Sequence, residues 1–179
     1  VDAGGHTVHA IDLGDGPPVI LVHGFADSTY CWHRNDQALR DAGLRTVMMD
    51  QPGLGRSAPT GRGFAIEHQA EPILRATDTF GLDRFSLMDH SLGGGITLYL
   101  SHHHPDRVQR AVVIAPVCYP PPRRPALAYP GVPLLARHMP RRALIRGGLR
   151  GACGHPRHIT RALLDEYTAA AKRPDFLQS

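Results

Sequence analysis

Lysine is almost missing from this chain: of its 20 lysines and arginines, only Lys172 is a lysine. Long apolar runs are missing too, and nothing approaches the roughly 18 residues of a membrane-spanning helix, so no membrane span is predicted. Aromatic residues make up only 6% of the chain and do not interleave with the arginines, and no nucleic-acid recognition motif occurs. The net charge of +4 is therefore read as solvated helical surface, and no nucleic-acid partner is expected. The cysteines, Cys31, Cys118 and Cys153, are odd in number, far apart and without a CxxC pair, which predicts free thiols in a reducing compartment, the cytoplasm. His6/His9 splits across the two faces of a strand and His155/His158 has no third ligand in view, so no metal is expected. The first residue is Val1 rather than Met, and nothing can be said of a signal peptide.

What remains is ample for one domain: 179 residues, 42% of them hydrophobic, bury roughly 70% of their unfolded surface. His6 to Leu13 reads as a strand after a Gly4-Gly5 turn. Val19 to Val22 is a continuous apolar run that leads into His23-Gly24-Phe25. Trp32, Leu39 and Ala42 fall at helical spacing, with Gly43 as the stop. Thr46 to Met49 predicts a second buried strand, followed by the turn-rich loop Asp50-Gln51-Pro52-Gly53-Leu54-Gly55-Arg56-Ser57. Ile66, Ala70, Ile73, Leu74 and Phe80 predict a helix that Pro72 should kink or shorten. Phe85 to Met88 and Arg110 to Val117 read as further buried strands, with a helix over 91–103 between them. Strands alternating with helices at this spacing predict an α/β fold with a mostly parallel sheet. Tyr119-Pro120-Pro121-Pro122 is a stiff connector. After it the strand signal stops, and helices are expected over 134–150 and 158–172, the latter facing inward with Ile159, Leu163, Tyr167 and Ala170. The predicted organisation is thus a sheet-bearing part over 1–117 and a helical part over 118–179.

The stretch Leu87-Met88-Asp89-His90-Ser91-Leu92-Gly93-Gly94-Gly95 carries the chemistry. A strand enters it, a helix leaves it, and Ser91 falls at a sharp turn with its hydroxyl exposed, the arrangement of a nucleophile elbow. Gly93 meets the need for a small residue where strand and helix cross. Asp89 stands where the pattern wants glycine: overpacking there is expected to cost about 1–3 kcal/mol, and its carboxylate a further desolvation cost unless it reaches solvent or an arginine. Gly94 and Gly95 are expected to weaken the following helix by about 1 kcal/mol each.

His23-Gly24-Phe25, the loop after Asp50 and the serine elbow, in this order and each after a predicted strand, resemble the α/β-hydrolase superfamily and its lid-bearing serine hydrolases. The resemblance implies that Ser91 is the nucleophile and that the backbone N–H groups of Phe25 and Leu92 form the oxyanion hole. It implies supporting roles for His23 and Gly24 in the oxyanion loop and for His90 and Gly93 at the elbow. Gly24 lets that loop approach the bound carbonyl, His90 points away from the reacting centre, and residues 118–179 resemble an incomplete cap or lid. The implied activity is hydrolysis of a small carboxylic ester or related acyl substrate through an acyl-enzyme, with no cofactor.

A non-catalytic ligand-binding homologue, an acyltransferase and a C–C bond hydrolase are the alternatives on this scaffold. Asp89 as a displaced acid or nucleophile is a further one, since dehalogenases and epoxide hydrolases place an aspartate at the elbow tip, which here is Ser91. In this fold the acid and histidine of the triad follow on later strands. None is predicted after Val117, so the chain is expected to be a fragment of a longer enzyme and nearly inactive alone.

Overall fold

The computed structural model of the chain describes residues 1–117 and 141–171. These fall into two compact units divided after residue 118. The first holds β1 (Ala10–Leu13), β2 (Pro18–Val22), α1 (Asp36–Asp41), β3 (Arg45–Met49), α2 (Ile66–Thr79), β4 (Phe85–His90), α3 (Leu92–His103) and β5 (Val108–Ile114). The strands form one sheet in the order β1-β3-β2-β4-β5. Only β1 is antiparallel, pairing Ala10 with Met49, while β3, β2, β4 and β5 run parallel.

The two central apolar runs divide their residues between the two faces of the sheet, as alternation along a strand requires. Ile20, Val22, Val47, Met49, Phe85 and Leu87 pack with Ala70, Ile73 and Ala76 of α2 and Ile96 and Leu100 of α3. On the opposite face Val19, Leu21 and Met48 pack with Trp32, backed by Leu39 and Leu44. Both faces being covered explains why β2 and β3 read as unbroken hydrophobic stretches. The chain runs outward from β2 to β3, then returns across the sheet to β4 and β5. The carboxyl ends of β2 and β4 are thereby side by side where the direction of winding reverses, the place where open α/β sheets form a crevice.

Several elements differ from the sequence expectation. The first strand begins at Ala10 rather than His6, because Gly4 and Gly5, at φ +71° and +88°, turn residues 2–7 into a small loop closed by an Asp2–Thr7 bridge. The helix expected from Trp32 is split into a 3₁₀ turn, Thr29–Trp32, and the short α1. His33, Arg34 and Asn35 between them are exposed and have nothing to bury. Gly43, at φ +80°, ends α1 as expected. α2 is not shortened: it continues through Pro72 to Thr79, and burial of Ile73, Ala76 and Thr77 offsets the roughly 3 kcal/mol that an interior proline costs.

The run over 110–117 is not a buried strand. β5 starts at Val108, pairs only with β4 among the described residues, and leaves Val112 50% and Ile114 45% exposed. An apolar run reports the capacity to be covered, and among the described residues no strand pairs with the outer edge of β5.

In the second unit α4 (Arg141–Ala152) and α5 (Arg161–Ala171) are joined through a 3₁₀ turn, Pro156–His158. Its inward positions on α5 are Leu164 and Thr168, one residue on from the expected Leu163 and Tyr167, which are only half-buried. The Tyr119–Pro122 connector, the start of the helix expected from 134, and Lys172 lie outside the described residues. No helix among the described residues is long and apolar enough to cross a membrane.

Candidate active site

Ser91 is the residue between β4 and α3, and its backbone sits at φ +54°, ψ −117°, a region that non-glycine residues rarely occupy. Such a conformation costs on the order of 1–3 kcal/mol and persists only where its surroundings over-determine it. Here the Ser91 N–H donates to the Ile114 carbonyl at 3.0 Å, and the Ser91 carbonyl accepts from the Val117 N–H at 2.9 Å. The elbow is thus clamped to the end of β5. Leu92 begins α3, so its N–H is one of those a helix leaves without an internal partner.

The glycines after the serine are positions of contact. A Cβ on Gly93 would lie 2.4 Å from the Val22 carbonyl oxygen and 2.7 Å from that of His23. On Gly94 it would lie 2.9 Å from Pro116 Cβ, and on Gly95 2.8 Å from the Val117 carbonyl oxygen. Besides any intrinsic cost to the helix, Gly94 and Gly95 let α3 descend onto the segment that clamps the elbow. Gly24 acts likewise from the other side, since its Cβ would stand 2.7 Å from His90 Cε1 and 3.1 Å from Ser91 Cβ. The loop after β2 therefore approaches the elbow itself. Phe25, next along that loop, is 51% exposed and meets Phe64 edge-to-face at 5.3 Å.

His23 is a post, not a base. Its ring is fully buried, with Nδ1 2.7 Å from the Gly24 carbonyl and Nε2 accepting from the Gln51 N–H at 3.0 Å. Both nitrogens are committed, and burial holds its pKa below the ordinary histidine value despite the nearby Asp50. Asp50 organises the neighbouring loop, accepting from the Thr29 N–H at 2.6 Å and the Arg56 N–H at 2.8 Å. A Cβ on Gly55 would fall 2.3 Å from its carboxyl carbon, so this glycine loop wraps the aspartate.

His90 lies on the face of β4 opposite Asp89 and meets Trp32 edge-to-face, with Nε2 3.6 Å from Asp27 Oδ2. Asp89 reaches neither solvent nor an arginine. It is completely buried, with the Val22 N–H donating to Oδ1 and the Thr97 hydroxyl to Oδ2. Desolvation outweighs these two hydrogen bonds and raises its pKa well above the usual carboxylate range. Thr97 was not singled out in the sequence, where nothing pairs it with a residue eight positions earlier; only its place in α3, which packs on β4, could have suggested it.

A profile of the alpha/beta hydrolase fold matches residues 17–142. The chain belongs to the α/β-hydrolase fold family. Among curated relatives, it is 34% identical over 107 residues to a putative non-heme chloroperoxidase of Synechocystis, a match covering 59% of this chain and 39% of that protein. It is 31% identical over 137 residues to epoxide hydrolase B of Mycobacterium tuberculosis, covering 72% of this chain and 37% of the relative. To haloalkane dehalogenase 2 of Mycobacterium bovis it is 36% identical over 107 residues, 59% of this chain and 37% of the other. The chain thus spans well under half the length of these relatives. Among solved α/β-hydrolase folds, the epoxide hydrolase VrEH1 of Vigna radiata superposes with a TM-score of 0.82 at 22% identity, over 99% of this chain and 68% of that one. Cfl2 of Burkholderia cenocepacia superposes with a TM-score of 0.86 at 24% identity, over 98% and 66%.

Proposed function

We propose that this chain carries the nucleophile of a hydrolase that acts on a small carboxylic ester or related acyl substrate through Ser91. The observation that carries the proposal is the Ser91 backbone, held at positive φ at the tip of β4 beside the loop that follows β2. Strain of this kind is maintained where a side chain has to be presented. In the proposed reaction Ser91 Oγ attacks the substrate carbonyl. The N–H groups of Leu92 and Phe25 receive the charge that develops on the carbonyl oxygen, and a histidine accepts the hydroxyl proton. His23 is unsuited to that last role because both its ring nitrogens are occupied.

The relatives named for epoxide and haloalkane chemistry suggest a carboxylate nucleophile as the competitor. Asp89 is poorly placed for that, being buried with both carboxyl oxygens engaged. The exposed Phe25, backed edge-to-face by the half-buried Phe64, offers an apolar wall for the acyl or leaving group. We place residues 118–179 as part of a cap, and the protein in a reducing cytoplasm, where the thiols of Cys31 and Cys153, both unpaired, would persist.

The test is hydrolysis of a series of short-chain aryl esters, with epoxide and haloalkane substrates alongside, by the intact gene product and its Ser91→Ala variant. Loss of the nucleophile should lower ester turnover by about 10⁶-fold. Ester turnover that survives the substitution refutes the proposal. Saturable ligand binding with no turnover by the intact product moves the assignment to a non-catalytic homologue.

A further inference from the structure

Beside the core cluster built around Trp32, three potential metal ligands from three separate elements converge. Asp27 comes from the loop after β2, Cys31 from the 3₁₀ turn, and His90 from the last position of β4. A carboxylate oxygen of Asp27, the Cys31 sulfur and a ring nitrogen of His90 all lie within 4.8 Å of one another. Two of the three are held from behind. Asp27 is 6% exposed, and its Oδ1 accepts from the Ser28 N–H at 2.8 Å, leaving Oδ2 to face His90 Nε2 at 3.6 Å. The His90 ring is fixed edge-to-face by Trp32 and backed by Gly24, where no side chain intervenes.

Metal–ligand bonds of about 2.0–2.3 Å in a tetrahedral site put donor atoms about 3.4–3.8 Å apart. The Asp27–His90 separation of 3.6 Å already meets that spacing, and a shift of about 1 Å at Cys31 brings the two edges to the sulfur within it. Carboxylate, imidazole and thiolate together suit zinc.

We propose that Asp27, Cys31 and His90 form a binding site for a single zinc-type divalent cation, with the fourth coordination position open, beside but distinct from the Ser91 hydroxyl. On binding, the Cys31 S–H bond breaks, a metal–sulfur bond forms and the proton leaves to solvent; no electron is transferred. Burial, and then the carboxylates of Asp27 and Asp50, hold the Cys31 thiol above its ordinary pKa, so without metal the sulfur keeps its proton. The same concentration of acidic groups favours a cation. The bound ion would tie the loop after β2 to the elbow. This inference does not depend on the ester-hydrolase reading, because its test reads metal coordination and not turnover.

The full chain is titrated with Co²⁺ and followed by absorption. The expected result is one equivalent bound, with a near-ultraviolet thiolate-to-cobalt band and visible bands of tetrahedral intensity, all removed by Zn²⁺. Cys31→Ala should abolish the near-ultraviolet band while far-ultraviolet circular dichroism stays unchanged. Asp27→Asn, which retains the thiol, should keep the band but weaken binding at least tenfold, since even outer-shell groups are worth about 10–100-fold. No near-ultraviolet band in the full chain, the same band in Cys31→Ala, or unaltered affinity in Asp27→Asn would each overturn the proposal.

Discussion

Replacing Asp89 by asparagine should make this protein more stable, and increasingly so as the pH rises. Asparagine has the same shape, its Oδ1 can accept from the Val22 N–H, and its Nδ2 can donate to the Thr97 hydroxyl. The hydrogen bonds are conserved and the ionisable group is gone. In the wild type the carboxyl is fully buried and its pKa is raised well above 3.8. Below that value the aspartate is protonated in both folded and unfolded chains, and the carboxyl contributes its full stability. As the pH climbs, the unfolded chain releases the proton while the folded chain keeps it, so stability falls by at most about 1.4 kcal/mol per pH unit. The loss ends once the pH passes the raised folded pKa. At pH 7 the substitution should gain on the order of 1–3 kcal/mol, the scale of a buried polar group whose desolvation is not repaid. For a domain of this size that is about 2–4 °C of thermal midpoint per kcal/mol. Urea unfolding of both proteins at pH 5, 7 and 9, followed by circular dichroism, measures it. A variant less stable at every pH, or a difference that does not change with pH, would refute the account of Asp89 as a neutral buried acid.

Gly93→Ala places a methyl 2.4 Å from the Val22 carbonyl oxygen, an atom of the central strand that cannot move aside. It should lower stability by about 1–3 kcal/mol or more, seen as a lower thermal midpoint or insoluble expression. Ser91→Gly and Ser91→Ala both remove the hydroxyl, but only glycine relaxes φ +54°. The glycine variant should be more stable than the alanine variant by about 1 kcal/mol in urea titrations, and equal midpoints would show that the elbow is not strained.

The elements legible in advance were those whose own residues settle them. The apolar runs over 19–22 and 46–49 are buried on both sides, and Gly43 stops α1 because it alone tolerates the left-handed turn there. The serine between a strand and a helix was readable from the spacing of Leu87, Ser91 and Gly93. The desolvation cost of Asp89 was legible, but its partners were not: it meets the Val22 N–H and the Thr97 hydroxyl in place of solvent or an arginine. β5 was expected to be buried, but among the described residues only β4 pairs with it, and hydrophobicity alone cannot say what covers a strand's other edge and faces. Pro72 was expected to kink or shorten α2; the helix is not shortened, because packing of the residues beyond the proline prevailed.

Sequence by itself determined the α/β class, the order of the elements and the presentation of Ser91, because hydrophobic period, turn chemistry and the demand for small residues act over a few neighbouring positions. Only the tertiary structure decided what Ser91 stands next to. Pairing β2 with β4 brings the His23–Phe25 loop onto an elbow some 67 positions later, as the hydrogen bond between Val22 and Asp89 marks. It also gathers Asp27, Cys31 and His90 around one point. Contacts across such separations arise from how strands order themselves in a sheet, and no local pattern in the chain encodes that order.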